Sequence, residues 1–395
     1  MKYKKITTAL LSILIIPFAH SSEFPDAYWK QKAPSEVNVD PKKVKTLFDL
    51  SFKDDATQAV VLIKNGVLIG EQYAEGFDKN SYGTSWSMAK SFYAALIGIS
   101  IDRGEINGLD DKVNLYLDYF NDERSKITIR DLLNMSSGLE YPENQHENMF
   151  FLNDHLEYSK SIGVEKEANT VFEYNNVNSM LLGDILEKAT VKKADLLLNE
   201  RILDPIGVKN STVWTDNAGN PLAYCCIDMS ARDYSRFGLL FSRNGNWNGN
   251  QLISKDFVDE TFTEYWDVTP QWWTNAKRGY TLHWWVSKND EEGSIFNASG
   301  KFGQYIFVDR ENDIIFTRIT KYHPTPGSIQ DWGRLSRVEV NNIGRWLKLT
   351  RFLEKVGILD ADDLKTPNTR KDGESKEFYE IYGEVIDSIS DLSRN

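Results

Sequence analysis

Residues 81–92 read Ser-Tyr-Gly-Thr-Ser-Trp-Ser-Met-Ala-Lys-Ser-Phe, a turn-like lead-in to an apolar segment that continues through Ala94, Ala95, Leu96, Ile97 and Ile99 until Gly104. This pattern predicts a buried helix stopped by the glycine, with Ser87 in its first turn and Lys90 three residues on. Residues three apart share a helix face, so the lysine can reach the serine hydroxyl, and the helix N-terminus favours a developing alkoxide. A serine hydroxyl is a poor nucleophile until a neighbouring base takes its proton, and a lysine serves if burial or nearby cations hold it neutral. A capping serine beside a solvated lysine has the same spacing, so the rest of the chain decides.

Working outward, residues 59–63 and 67–73 are β-rich and flank Lys64, Asn65 and Gly66, a strong hairpin signal. Before them, Pro25, Pro34 and Pro41 mark an extended lead-in to a short helix over 44–50. After Gly104 the pattern turns helical. Thr128 caps a short helix that Gly138 is expected to end, and 176–188 and 194–203 are amphipathic and helix-length. Ser230 caps another helix over 230–241. Sheet patterns return at 280–286, 294–296, 305–308 and 314–319, with a polar turn over 309–313 and a helix over 341–353. Strands at both ends around a helical middle predict an α/β sheet domain made of 22–104 and 231–355, with a helical domain, 105–230, inserted between. A cleft between the two is the usual place for a ligand. Residues 356–395 form a charged C-terminal extension with a loose stretch over 366–376 and one more helix over 377–389, to which the sequence assigns no function.

With 395 residues, 41% of them hydrophobic, the chain can bury a large core. Lys2, Lys4 and Lys5 precede an apolar run over 6–19 and small residues at Ala19 and Ser21, which reads as a secretory signal over 1–21 and a periplasmic or secreted product. Its removal takes three positive charges and moves the formal charge from −12 to −15. No basic stripe then remains to neutralise phosphates, which argues against nucleic acid or a membrane as partner. Cys225 and Cys226 are adjacent, a spacing that strains a mutual disulfide, so they read as small buried residues with a redox pair as the alternative. His146, His155, His283 and His323 are scattered and read as packed or surface residues, not metal ligands. No zinc, calcium or phosphate-loop motif appears, and no cofactor is expected.

The segments together resemble the serine β-lactamase and penicillin-binding-protein superfamily, on the class C-like branch that includes esterases, D-amino-acid peptidases and aminohexanoate-oligomer hydrolases. Ser87-Met-Ala-Lys90 matches its Ser-x-x-Lys element. Residues 127–133 with 136–139 are similar to its structural helix and following turn, 172–184 to its Tyr-x-Asn element and helix, and 225–238 to the aminohexanoate-oligomer side. Tyr119-Phe-Asn121 also fits Tyr-x-Asn, but its place before residue 127 makes Tyr119 a packing residue.

The resemblance implies an antiparallel sheet flanked by helices, β-lactamase-like, and an acyl-enzyme on Ser87. It makes Tyr174 the partner of Lys90 in moving the proton and gives Asn176 a bond to Lys90 or to the substrate amide. At the third element the chain departs from the family. Where relatives carry Lys-Thr-Gly or His-x-Gly, it has Ala298, Ser299 and Gly300, then Lys301. Gly300 still permits close backbone approach, and the amides of Ser87 and Lys301 are the expected oxyanion donors. Lys301 is the candidate replacement for the missing cation, although a strand continuing three positions past Ala298 would turn it to the other face. The expected substrate is a small ester, amide or short peptide-like molecule. A β-lactamase, a D-amino-acid peptidase, or a catalytically silent binding protein on the same fold are the alternatives. Trp272, Trp273, Trp284 and Trp285 are read as core or rim packing, with a substrate wall as the alternative.

Overall fold

The computed structural model describes residues 23–54, 56–142, 145–150, 152–263, 266–272, 277–288, 294–321, 353, 356–358 and 376–394. The expected leader over 1–21, nearly all of the helix over 341–353, the loose stretch before residue 376, Trp273 and His323 lie outside them.

Asn65 and Gly66 both take left-handed backbone, φ 52° and 76°, and join β1 (Thr57–Lys64) to β2 (Val67–Tyr73) as an antiparallel hairpin. A Cβ at Gly66 would lie 1.9 Å from the Glu23 carbonyl oxygen, so the turn also needs a residue without a side chain. Next come β3 (Tyr82–Thr84), β4 (Thr212–Val213) and β5 (Ile227–Ser230), a small sheet in the order β3-β5-β4. A two-stranded ribbon follows, β6 (Asn246–Trp247) with β7 (Asn250–Gln251). The remaining strands are β8 (Trp266–Asp267), β9 (Lys277–Thr281), β10 (Trp284–Lys288), β11 (Ser294–Gly300), β12 (Gln304–Asp309) and β13 (Ile314–Thr320). With β1 and β2 they form one eight-stranded antiparallel sheet, ordered β2-β1-β13-β12-β11-β10-β9-β8. β1 therefore pairs with β13, and the sheet is closed by strands from both sides of the helical middle.

The helices are α1 (Pro41–Ser51), α2 (Ala89–Asp102), α3 (Ile129–Leu133), α4 (Gln145–Phe150), α5 (His155–Ser161), α6 (Asn176–Thr190), α7 (Ala194–Leu198), α8 (Ala231–Ser242) and α9 (Lys255–Thr261). Alternation along the strands divides the core in two. Val61, Ile306, Ile315 and Ile319 pack with Phe92 and Leu96 of α2 and Phe237 of α8. Val60, Leu62, Phe307 and Phe316 pack with Leu47 and Phe48 of α1 and with Tyr382, Ile386 and Ile389. Those last three belong to a C-terminal helix, Lys376–Asp391, so the expected helix over 377–389 is present and covers the second face.

Three expectations change. The β-rich run over 280–286 is a hairpin, because Leu282 and His283 take φ of 37° and 65° and turn the chain between β9 and β10. Their amides are held by the Asn134 side chain at 2.8 Å and the Leu133 carbonyl at 2.9 Å, which compensates two non-glycine residues in left-handed backbone. The helix capped by Thr128 ends at Leu133, before Gly138, because Met135 already turns left-handed at φ 56°. Cys225 and Cys226 are buried as expected, but they are joined by a disulfide, the left-handed Cys226 (φ 73°) turning the chain between them.

Candidate active site

Ser87 lies in a 3-10 turn, Trp86–Met88, that runs directly into α2. Trp86 has φ 46°, a backbone that a bulky side chain takes only when its surroundings impose it. Here β5 and the residues before it impose it. Thr84 pairs with Asp228, the Ser85 amide donates to the Ile227 carbonyl at 2.8 Å, and the Ile227 amide donates back to Ser85 Oγ at 2.8 Å. The Cys226 amide donates to the Trp86 carbonyl at 3.4 Å. Ser87 thus stands half-buried on a clamped corner.

The α2 residues from Ala89 to Ser100 are all buried, and Lys90 is the one charged side chain among them, 1% exposed. Its Nζ lies 3.0 Å from Ser87 Oγ, 2.8 Å from Asn176 Oδ1 and 2.7 Å from the Tyr224 carbonyl oxygen. Asn176 Oδ1 and the carbonyl only accept, whereas the serine hydroxyl can donate. The three N–H groups of an ammonium fill these acceptors, and a neutral amine fills the set as well, with two N–H groups on Asn176 and Tyr224 and its lone pair able to take the Ser87 proton. Burial pushes Lys90 well below its ordinary value, toward that neutral form.

Tyr174 reaches the same point from the segment that leads into α6. Lys90 Nζ lies 4.9 Å from the centre of its ring, and Ser87 is near enough to the phenol to favour its phenolate. Burial raises the phenol's pKa, while Ser87 and the Arg278 charge act the other way. Asn175 caps α6 through the Val177 amide at 2.9 Å, which fixes Asn176 at the start of the helix, facing Lys90.

Below the pair lies His283, 2% exposed, its ring nitrogens 3.0 Å from Ser179 Oγ and 3.2 Å from Tyr280 Oη. Burial, then the Lys90 charge, lowers it to about 3, so it is neutral and adds no cation beside Lys90. His283 was expected to be a packed or surface residue, and it is packed. The Tyr224 carbonyl, which carries no side-chain signal, was missed.

The third element sits at the end of β11. Pairing with β10 stops at Trp285 opposite Asn297, so Ala298, Ser299 and Gly300 pair only with β12 among the described strands. A Cβ on Gly300 would lie 2.1 Å from the Ser85 carbonyl oxygen, so the bare strand edge presses on the corner that carries Ser87. Ala298 is fully buried, and Ser299 alternates to the opposite side. Lys301 does not continue the strand. It is exposed in the turn after Gly300, its Nζ 5.3 Å from the centre of the Phe302 ring, and that ring meets Trp86 edge-on at 5.5 Å. Strand alternation therefore does not decide which way Lys301 points. Of the tryptophans, Trp284 is core, stacked at 5.9 Å on Phe237, while Trp285 stacks at 5.7 Å on Tyr174 and borders the site. Tyr119 donates to Asp184 at 2.8 Å and packs, as expected.

Behind the corner, Asp228 is fully buried and accepts from Thr84 Oγ1 at 2.6 Å and from the Trp214 indole N–H. Burial raises its carboxyl to about 7 from 3.8, against the pull of those two donors. The native state then keeps a proton that the unfolded chain has released, so stability falls as pH rises from about 4 through about 7. Asp228→Asn cannot ionise and keeps an acceptor for the indole, while Thr84 Oγ1 can accept from its amide. The variant is expected to gain about 2.5 kcal/mol on the wild type between pH 5 and pH 8. Thermal unfolding of both proteins at the two pH values checks this. A difference in Tm that does not grow with pH means the carboxyl is ionised throughout.

Among the described residues, no helix is long and apolar enough to cross a membrane. The sequence profile described as Beta-lactamase matches residues 55–338. The chain is 20% identical over 299 residues to the 6-aminohexanoate-dimer hydrolase of Paenarthrobacter ureafaciens, covering 70% of this chain and 75% of that one. Its structure is similar to the octameric penicillin-binding protein homologue of Pyrococcus abyssi, with a TM-score of 0.60, 16% identity, and coverage of 83% and 78%. It is also similar to a D-stereospecific amidohydrolase of Streptomyces, with a TM-score of 0.57, 18% identity, and coverage of 71% and 94%. At these identities the structural likeness is one of fold.

Proposed function

The chain belongs to the β-lactamase family, and from that membership we propose that it is a serine hydrolase that cleaves an ester or amide through an acyl-enzyme on Ser87, with Lys90 and Tyr174 as the proton-transfer pair. The observation that carries this reading is the set of three partners around Lys90 Nζ, two pure acceptors and the Ser87 hydroxyl.

In this mechanism Ser87 Oγ attacks the carbonyl carbon as its proton passes to Lys90 Nζ. The tetrahedral oxyanion is held by the Ser87 and Lys301 amides, a reading supported by the close approach of Gly300 to the Ser85 carbonyl. The proton then goes through the Lys90–Tyr174 pair to the leaving oxygen or nitrogen as its bond to carbon breaks. Water repeats the sequence on the acyl-enzyme and frees Ser87. The edge of β11 beside Ser299 and Gly300 supplies backbone groups along which an extended substrate lies, with Asn176 near its amide.

A linear amide or ester fits better than a β-lactam, because Ala298 is apolar and buried where relatives place a cation for the substrate carboxylate. The hydrolases similar to this chain that are named for a linear dimer and for D-stereospecific amides favour the same class. The N-terminal pattern leads us to place the mature protein in the periplasm or outside the cell.

Intact-mass spectrometry after exposure to a fluorophosphonate, to p-nitrophenyl esters and to a penicillin tests the reading. One adduct per chain from the first two, mapped to Ser87, is expected. Faster turnover of the penicillin than of the esters points to a β-lactamase, and no adduct from any reagent points to a binding protein.

A further inference from the structure

Tyr174 is connected to the far side of the sheet. Its ring stacks on Trp285 at 5.7 Å and 26°. The Arg278 guanidinium, from β9, lies 3.8 Å from the centre of the same indole and 5.3 Å from the centre of the Tyr382 ring. Tyr382, on the C-terminal helix, is 2% exposed. Its hydroxyl donates to Asn297 Oδ1 of β11 at 2.5 Å and lies 2.6 Å from Ser287 Oγ of β10. Tyr280 closes edge-on against Trp285 at 4.8 Å. Phenol, indole, guanidinium and phenol thus form a connected stack from the candidate proton carrier to the C-terminal helix. Arg278 is 5% exposed, so its contacts with the rings are made largely out of water, where cation–π attraction is strongest.

We propose that Arg278 and Tyr382 are positioning residues for the Tyr174 phenol, so that the C-terminal helix, separated from the rest of the sheet domain by a charged stretch, is part of the catalytic apparatus. The inference rests on the assignment of Tyr174 as a proton-transfer group. Tyr174 precedes α6 on an irregular segment, so its ring is set by what packs on it, and Trp285 is the indole stacked there. Trp285 in turn is held by its strand and by the guanidinium against its ring. The Arg278 charge also favours the phenolate of Tyr174. Lysine cannot replace arginine here, since an ammonium has no plane to lie on the indole.

The test is a double-mutant cycle in the full-length chain, read on an anilide, whose poor leaving group needs its proton delivered, and on a p-nitrophenyl ester, which does not. Arg278→Met is expected to lower kcat on the anilide about 10–10²-fold with little change in KM, and to affect the ester far less. In a Tyr174→Phe background the same substitution is expected to cost nothing further, because what it positioned is gone. Tyr382→Ala follows Arg278→Met, and Tyr382→Phe, which keeps the ring on the guanidinium, retains most of the activity. Equal losses from Arg278→Met with and without the Tyr174 hydroxyl, or full anilidase activity in both Arg278→Met and Tyr382→Ala, overturn the proposal. If Arg278→Met does not fold, the Tyr382 pair decides on the same criteria. A fully active Tyr174→Phe enzyme instead removes the proton-transfer reading on which the proposal stands.

Discussion

Ser87→Ala is expected to lower kcat/KM on an activated ester by about 10⁵ or more and to abolish the covalent adduct, while Tm stays within a degree or two. The loss is large because neither neighbouring serine can take over. Ser85 is fully buried, with its Oγ bonded to the Ile227 amide and the Trp86 carbonyl, and Ser91 donates to the His283 carbonyl at 2.7 Å. The fold survives because the corner at Trp86 is held by backbone bonds to Ile227 and Cys226, none of which uses the Ser87 side chain. Lys90 keeps Asn176 and Tyr224 as partners. Steady-state kinetics, intact mass and thermal unfolding of the variant check the three parts separately. Turnover above about 1% of wild type in a folded variant would move the nucleophile elsewhere.

What the sequence made legible was local. Asn65-Gly66 fixes a hairpin because only left-handed backbone closes that turn, and Ser87 and Lys90 meet because three residues of helix bring them to one face. Tyr174 and Asn176 lie more than 80 positions away, and only likeness to a family joined them to Ser87. The third partner of Lys90 was out of reach, since a carbonyl oxygen is common to every residue and Tyr224 is chosen by where the chain passes. Residues 280–286 misled for a different reason. A continuous aromatic and β-branched run reads as one strand, and the turn at Leu282 and His283 has no glycine, because Asn134 and Leu133 hold the backbone in place of sequence preference. The same turn buries His283 under the site and sets Trp285 against Tyr174. For the C-terminal helix, a helix over 377–389 was expected, but which surface it covers depends on β1, β12 and β13, which lie far away in the chain.

Lys90→Met is expected to cost about 10²–10⁴ in kcat/KM, the usual worth of a positioned general base, and to leave KM nearly unchanged. The charge at this position distinguishes two roles for the lysine. If Lys90 takes the proton from Ser87, its lone pair matters, and Lys90→Arg is expected to be as inactive as Lys90→Met because a guanidinium stays protonated. If a fixed positive charge mattered instead, the arginine variant would retain activity and the methionine variant would not. The pH dependence separates the roles independently. Burial holds the lysine's pKa well below its ordinary value, so the wild type is expected to lose activity as pH falls through that lowered value and protonation consumes the lone pair. The residual activity of Lys90→Met is expected to lack this acid limb. Stability is the control, since the methionine leaves Asn176 Oδ1 and the Tyr224 carbonyl without their donor, a cost of about 1–3 kcal/mol that buries no amine in return. An arginine variant that folds and keeps more than about a tenth of wild-type activity would show that Lys90 acts through its charge, and the proton from Ser87 would then fall to Tyr174.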